Sequence, residues 1–223
     1  AERSRSGATL PRIEQDAGGV TAVSADGATE RGDLLVGADG IRSTVRELVA
    51  PQVQPTYAGY VAWRGVAGEA EFPAETHAEL FEKYTFCLPE GEMMLCYPVP
   101  GRDNDTRRGR RGYNYVWYRP TDGARGPLPE LCTDANGHCH GMAIAPPLIR
   151  PEVIARVKAE ARALLAPQIA DIVGRTQPFF QAIFDLESPS LAYGRVALLG
   201  DAAFVARPHV GMGVTKAALD AEA

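Results

Sequence analysis

The sequence lacks an excess of positive charge, and it has no apolar run approaching the roughly 18 residues that a membrane span needs. Its net charge is −5 over 223 residues, so nonspecific binding to nucleic acid is not predicted. No secretory signal precedes the first predicted strand. These absences predict a soluble, cytoplasmic protein, and a content of 45% hydrophobic residues is enough for a substantial core.

Cysteine is scarce, and the cysteines do not have the spacing of a disulfide framework or a zinc ribbon. Near Cys132, the segment His138-Cys139-His140 contains residue types that bind zinc. Adjacent residues of a strand point to opposite faces, however, and no C-x-x-C motif is present. We therefore predict no metal site, and reduced thiols at the four cysteines, which are Cys87, Cys96, Cys132 and Cys139.

The sequence also lacks the G-x-G-x-x-G turn of dinucleotide-binding βαβ units. The nearest segment is Gly211-Met212-Gly213-Val214-Thr215-Lys216, which has no third glycine and does not open such a unit. The chain begins in a polar, arginine-rich stretch and ends inside a predicted helix without a Gly or Pro stop signal. It is therefore predicted to be an internal piece of a longer protein.

Two Gly-Asp turns are the most informative features that are present. The apolar strand 196–199 leads into Gly200-Asp201, and the apolar segment before Gly37 leads into Asp39-Gly40 and a helix with Ser43 as its N-cap. Each aspartate follows the carboxyl end of a strand, where open α/β sheets bind polar ligands. The alternative is an ordinary strand, turn and helix in which the glycines serve only tight packing.

The rest of the chain predicts a mixed α/β protein with an antiparallel sheet at its centre. Short strands are predicted at 12–15, 20–24 and 29–36, and a helix at 43–49. The segment 102–111 contains five arginines and is predicted to be a solvated hairpin loop rather than an RNA-binding segment. The remaining predicted elements are sheet strands at 57–66, 84–88, 93–99 and 113–118, helices at 150–165 and 168–173, and a returning strand at 179–186.

Together, the two Gly-Asp turns resemble the internal fingerprints of the single-component FAD-dependent aromatic hydroxylases, the p-hydroxybenzoate hydroxylase-like family. Segments 57–65 and 113–120, Arg207-Pro208-His209 and Lys216 look most like its 2,6-dihydroxypyridine 3-monooxygenase branch. Other branches more often have His at the position of Phe204 and Asn at that of Thr215, so no role is carried over to these two residues.

This resemblance implies a partial FAD-binding Rossmann-like domain, residues 1–55 and 191–223, with an inserted antiparallel β-sheet substrate domain, residues 56–190. It implies an NAD(P)H-consuming monooxygenase that uses FAD, NADH or NADPH, and O2 to hydroxylate an electron-rich ring such as 2,6-dihydroxypyridine. By resemblance, Asp201 hydrogen-bonds the ribityl or adjacent part of FAD, and Asp39 with Gly40 lies near the pyrophosphate or near the approach of the pyridine nucleotide. The implied cofactor-binding residues are Asp39, Gly40, Arg46, Gly200, Asp201, Pro208, Gly211, Met212 and Gly213.

The catalytic candidates are His209, Tyr60 and Arg64. His209 follows Pro208, and an imidazole side chain suits substrate orientation or proton transfer, although a structural histidine is an alternative. Tyr60 and Arg64 share one face of a predicted strand, and Trp63 points to the other face as a core residue. For Arg46, the alternative to a cofactor contact is an exposed helical arginine.

Two other functions stay open at this stage. One is a flavin-dependent reductase on the same fold. The other is a truncated, catalytically silent fragment or interaction module, since loss of the phosphate-binding unit would expose hydrophobic strand edges. A homodimer is one predicted assembly, and the predicted small-molecule partners are an aromatic substrate and O2.

Overall fold

A computed structural model describes residues 6, 7, 9–121 and 127–222. None of the helices in this part of the chain combines the length and apolar composition that a bilayer-spanning helix requires. The helices are α1 (Thr44–Val49), α2 (Ala74–Leu80), α3 (Leu128–Leu131), α4 (Pro151–Leu164), α5 (Pro167–Arg175) and α6 (Gly213–Glu222). The strands are β1 (Arg12–Asp16), β2 (Gly19–Val23), β3 (Thr29–Gly32), β4 (Leu35–Gly37), β5 (Thr56–Gly68), β6 (Thr85–Cys87), β7 (Met93–Val99), β8 (Gly112–Pro120), β9 (Phe179–Glu187), β10 (Ala192–Tyr193), β11 (Val196–Leu198) and β12 (Phe204–Val205).

The chain divides into two units by packing. The first unit contains the residues up to Tyr57 and those from Phe184 onward, and the second is Ala58–Ile183. The chain passes from one unit to the other within β5 and again within β9. The predicted assignment of a cofactor domain and a substrate domain to particular residue ranges stays a prediction.

The first unit contains two small sheets. Strands β1, β2 and β3 form an antiparallel sheet, and the second sheet has the order β10-β11-β4 with β11 parallel to β4. The prediction of one strand over 29–36 was wrong, because β3 and β4 belong to different sheets. The break falls at Asp33 and Leu34, where Arg195 donates a hydrogen bond to the carbonyl oxygen of Asp33 at 3.0 Å.

The second unit is built on the predicted antiparallel sheet, in which its strands follow the order β9-β5-β8-β7-β6, and the first-unit end of β9 pairs with β12 as the sixth strand. Aromatic and β-branched residues are frequent in β5 and β8, and they pack well on a pleated surface. One face is covered by helices: Val61 and Trp63 lie beside Val157 of α4, and the hydroxyl of Tyr115 lies 2.9 Å from that of Thr176 after α5. The mixed α/β fold class is therefore confirmed.

The helices covering this face begin and pack for local reasons. Prolines stand at the first positions of α4 and α5, where the missing N–H costs no intrahelical hydrogen bond. Apolar residues of α4 then recur at helical spacing and are buried, namely Val153, Ile154, Val157 and Ala161.

The arginine-rich segment joins β7 to β8 as predicted, but Arg111 at its end is not a solvated residue. Its guanidinium binds Glu69 and Glu82 and lies 4.8 Å from the centre of the Phe81 ring. The Glu69 side chain is only 2% exposed and also accepts a hydrogen bond from the Gly109 N–H at 2.6 Å. His77 Nε2 lies 2.9 Å from the same carboxylate. The hairpin is therefore anchored at its base by one buried glutamate.

Candidate functional site

The two Gly-Asp turns lie side by side in the first unit. Strand β11 pairs with β4 in parallel, with Leu198 opposite Gly37, and the Leu199 N–H donates to the Gly37 carbonyl oxygen at 3.1 Å. A Cβ atom at Gly37 would come within 2.7 Å of Val45 in α1, so only glycine permits this close contact between strand and helix. Both turns therefore leave the same edge of one sheet, and each follows the carboxyl end of its strand, as the sequence predicts.

Asp39, in the first turn, organises the start of α1. Its carboxylate accepts hydrogen bonds from the Ser43 hydroxyl at 2.5 Å, the Thr44 N–H at 2.8 Å and the Val45 N–H at 3.2 Å. Ser43 is the N-cap, as predicted, because its Oγ accepts from the Arg46 N–H at 2.9 Å. The capping role of Asp39 was missed in the sequence, and its contact with a cofactor stays a prediction. The neighbouring Gly40 has a φ of +79°, which favours glycine.

Arg46 links the two turns from within the core. Its side chain donates to three backbone carbonyl oxygens: Ile41 at 2.7 Å, Ala202 at 3.0 Å and Val53 at 3.3 Å. The residue is 3% exposed, so the alternative of an exposed helical arginine was wrong. Burial lowers its pKa, and Asp39 and Glu47 oppose this effect. A direct contact between Arg46 and a cofactor stays a prediction.

Asp201, in the second turn, presents an exposed carboxylate. It lies in a 3₁₀ turn, Gly200–Ala202, and makes no side-chain hydrogen bond or ion pair within the described ranges. The preceding Gly200 is buried and has a φ of +60°. The two predicted cofactor aspartates therefore differ: Asp39 is bound to its own helix, and Asp201 is open to a ligand.

The segment after this turn approaches α6 through a second short 3₁₀ turn, Pro208–Val210. Gly211 follows with a φ of +69°, and a Cβ atom at Gly211 or Gly213 would have no neighbour within 4 Å. Met212 is 44% exposed. This glycine-containing segment therefore leaves open space beside the start of α6.

His209 lines a cavity of about 670 Å³ in the first unit. Arg207, also in its wall, forms a two-bond ion pair with Asp185 at 2.7 and 2.5 Å. The Arg207 hydrogen bond lowers the pKa of Asp185. Phe204 and Val205 add apolar surface to the wall, so the cavity combines charged and apolar groups in the way that small-molecule sites do.

Tyr60 and Arg64 share a face of β5 in the second unit, as predicted. They lie on the side of the core cluster formed by Ala62, Val116 and Tyr118, and Trp63 points away, 5.0 Å from the Phe180 ring. The Arg64 Nε is buried and has no hydrogen-bond partner in the described part of the chain. Burial raises the pKa of Tyr118 to about 12, and Arg64 opposes this rise. The face therefore carries a cation next to a buried phenol.

A family model described as FAD binding domain-like matches residues 57–185, more than half of the chain. The chain belongs to the FAD binding domain-like family. The match begins just before Tyr60 and Arg64 and ends before the Gly200-Asp201 turn. It therefore covers the sheet of the second unit but neither of the two Gly-Asp turns. The similarity that extends over the turns is the one to individual relatives, whose matches span nearly the whole chain.

Curated relatives of this family member are FAD-dependent hydroxylases. The 2,6-dihydroxypyridine 3-monooxygenase of Paenarthrobacter nicotinovorans is 32% identical over 222 residues, which is 99% of this chain and 54% of the relative. The FAD-dependent urate hydroxylase of Klebsiella pneumoniae is 32% identical over 96% of this chain and 48% of its own length. The chain thus spans about half the length of the relatives it matches.

A solved structure of the 2,6-dihydroxypyridine-3-hydroxylase from Arthrobacter nicotinovorans has a TM-score of 0.87 and 32% identity, and it covers 100% of this chain and 55% of that protein. Klebsiella pneumoniae HpxO, complexed with FAD and uric acid, has a TM-score of 0.64 and 28% identity over 95% of this chain and 46% of HpxO. The predicted resemblance to FAD-dependent aromatic hydroxylases is confirmed by these relatives.

Metal-ligating residue types are dispersed in this member of the FAD binding domain-like family. Within the ranges that the structure describes, no three His, Cys, Asp or Glu side chains are grouped so that they could hold a metal ion. Asp134 and His140 interact at 2.9 Å, and Cys132 and Cys139 are free thiols.

Proposed function

We propose that this chain forms cofactor- and substrate-binding parts of a FAD-dependent, NAD(P)H-consuming monooxygenase. The substrate class is an electron-rich aromatic or N-heteroaromatic ring such as 2,6-dihydroxypyridine, with O2 as the second substrate. The observation that carries the proposal is the side-by-side placement of the two Gly-Asp turns at one sheet edge, with the Asp201 carboxylate open. The similarity to FAD-dependent hydroxylases supports it.

The residues of the first unit fit FAD. Asp201 offers a carboxylate that can accept hydrogen bonds from ribityl hydroxyl groups. Gly211 and Gly213 leave room for the backbone to approach a ligand closely, and the N-terminal end of α6 favours negative charge. We propose that these residues hold FAD together with Gly200, Pro208 and Met212, and that Asp39 and Arg46 contribute by shaping the first turn. FAD supplies the redox and oxygen-transfer chemistry when it is bound.

The residues around Arg64 fit an ionised ring. The Arg64 guanidinium is half-buried, and its Nε lacks a protein partner in the described chain, so a negatively charged hydroxyl oxygen of a substrate would supply the missing acceptor. Tyr60 and Tyr118 lie with their rings 6.1 Å apart in an edge arrangement and provide aromatic surface for an aromatic ligand. We propose that Arg64 stabilises the ionised form, which is the more electron-rich one. A role for His209 in moving or holding a proton is a separate proposal for the cavity of the first unit.

The FAD-binding part of this proposal is tested by the visible absorption spectrum of the purified 223-residue chain after incubation with FAD and desalting. We expect a retained flavin spectrum. Replacing Asp201 with alanine is expected to weaken FAD binding by about 10-fold or more, since a hydrogen bond to a charged group contributes about 1.5–3 kcal/mol. The matched control is Asp33→Ala, which also removes an exposed carboxylate. Equal FAD affinity of Asp201→Ala and the wild-type chain would contradict the assigned role.

The substrate part is tested by calorimetric titration of 2,6-dihydroxypyridine into the FAD-loaded chain. Arg64→Met is expected to raise the Kd by about 10-fold, because it removes a charge-assisted hydrogen bond and keeps much of the side-chain volume. Arg162→Met, at an exposed position of α4, is the control and should leave the Kd unchanged. A wild-type Kd for Arg64→Met would show that this face does not bind the ring.

A second candidate function is an interaction module, and the exposed end of one sheet favours it. Strand β4 is the last strand of its sheet within the described residues. Leu34, just before this strand, is 58% exposed, and Val36, within it, is 47% exposed. An apolar strand edge of this kind pairs readily with another chain. A chain that stays colourless after FAD treatment and forms a complex through β4 would favour this function over the monooxygenase.

A further inference from the structure

The Gly200-Asp201 turn is held from α6 by two side chains one helical turn apart. The Gly200 N–H donates to Oδ2 of Asp220 at 2.9 Å. Lys216 Nζ donates to the Gly200 carbonyl oxygen at 3.3 Å and forms an ion pair with Asp220. Both backbone polar groups of Gly200 are therefore bound by one lysine and aspartate pair, and the carbonyl oxygen also accepts the Ala203 N–H at 3.1 Å.

The surroundings make this arrangement well defined. The side chains of Lys216 and Asp220 are only 21% and 17% exposed. Lys216 Nζ also lies 5.4 Å from the centre of the Phe204 ring, in a cation–π contact. The Lys216 hydrogen bond, with help from the Gly200 N–H, lowers the pKa of Asp220. Asp220 is therefore a carboxylate at neutral pH, and it can only accept hydrogen bonds at the Gly200 peptide.

The geometry points to a positioning role for this pair: we propose that Asp220 and Lys216 fix the Gly200 peptide so that the adjacent Asp201 carboxylate is held ready for FAD. Gly200 has a left-handed backbone, and such a turn needs its N–H and C=O groups satisfied to persist. Within the described chain, no side-chain hydrogen bond or ion pair holds Asp201. The position of its carboxylate therefore depends on the conformation of the adjacent Gly200 peptide. This inference rests on the proposed FAD-binding function.

The test compares Asp220 variants of the 223-residue chain in two measurements. The first is the Kd for FAD, for which Asp220→Leu is expected to be weaker by about 10-fold. The second is hydrogen exchange of the Gly200 amide by NMR without FAD, which Asp220→Leu should accelerate by about 10-fold. Asp220→Asn should keep part of the FAD affinity and part of the protection of the Gly200 amide from exchange, because its amide oxygen can still accept the Gly200 N–H. The matched control is Asp171→Leu, which breaks the i,i+4 pair with Arg175 in α5.

The outcomes separate this inference from the proposed function. Wild-type FAD affinity in a folded Asp220→Leu variant would overturn the inference, and so would an equal loss of affinity in Asp171→Leu. If Asp220→Leu does not fold, Lys216→Met decides, with an expected loss of FAD affinity of about fivefold. If the wild-type chain binds no FAD, the proposed function fails, and an unchanged Gly200 exchange rate in the variant would overturn the inference independently.

Discussion

Replacing Arg46 with alanine is expected to lower the free energy of unfolding by about 3–5 kcal/mol, because a buried carbonyl oxygen that loses its donor costs about 1–3 kcal/mol. The guanidinium of Arg46 serves three such oxygens, those of Ile41, Ala202 and Val53. Two of them follow the two Gly-Asp turns, so the substitution also removes the link between the turns. We therefore expect FAD binding to be lost together with stability.

Urea unfolding monitored by circular dichroism measures this effect. Arg42→Ala is the matched control, because Arg42 is exposed in the same loop, and such surface changes usually stay within about 0.5 kcal/mol. Arg46→Lys should lie between the two variants, since an ammonium group keeps the charge but cannot reach three carbonyl oxygens in a planar arrangement. A loss below about 1 kcal/mol for Arg46→Ala would show that water replaces the guanidinium at little cost.

Replacing Glu69 with glutamine is expected to lower the free energy of unfolding by about 2–3 kcal/mol at pH 7, since charge-assisted hydrogen bonds are about twice as strong as neutral ones. The carboxylate holds the base of the arginine-rich hairpin through two hydrogen bonds from the Arg111 guanidinium, at 2.9 and 2.7 Å. Glu71→Gln is the control, because Glu71 lies exposed in the same 3₁₀ turn.

The same variant has an expected pH signature. The pKa of Glu69 is held well below its ordinary value of 4.5, chiefly by the Arg111 hydrogen bonds. The unfolded state therefore binds a proton at Glu69 at a higher pH than the folded state does. The contribution of Glu69 to the free energy of unfolding is full above the ordinary pKa of 4.5 and declines as the pH falls below it. Thermal melts at pH 7 and pH 3 should show a smaller acid-induced loss of Tm in Glu69→Gln than in the wild type. Equal losses would contradict this account.

Most of the elements could be predicted because their signals are local. Aromatic and β-branched residues recur along β5 and β8, and proline and spaced apolar residues mark α4. The break between β3 and β4 had a local turn signal in Gly32-Asp33, which the prediction of one strand overlooked. The separation of the two strands into different sheets could not be predicted, because the bond that Arg195 makes to the Asp33 carbonyl joins residues 162 positions apart.

The positions of the candidate residues were predicted more completely than their contacts, and their roles stay predictions. The Gly-Asp turns and the shared face of Tyr60 and Arg64 follow from strand periodicity. The burial of Arg46 does not, since arginine is mostly exposed and its carbonyl partners come from separate segments. The capping by Asp39 had a signal in its position four residues before Ser43. The roles of Lys216 and Asp220 require the tertiary approach of α6 to Gly200.

The first unit is assembled from two stretches of chain separated by the whole second unit, Ala58–Ile183. During synthesis, β4 emerges long before its parallel partner β11, and Arg195 arrives after the loops that it joins. The second unit is continuous in sequence, so all of its strands and helices are synthesised before the closing segment of the first unit. The first unit must wait for its closing segment at the entropic cost of a long loop, which places its pairing late in the folding order.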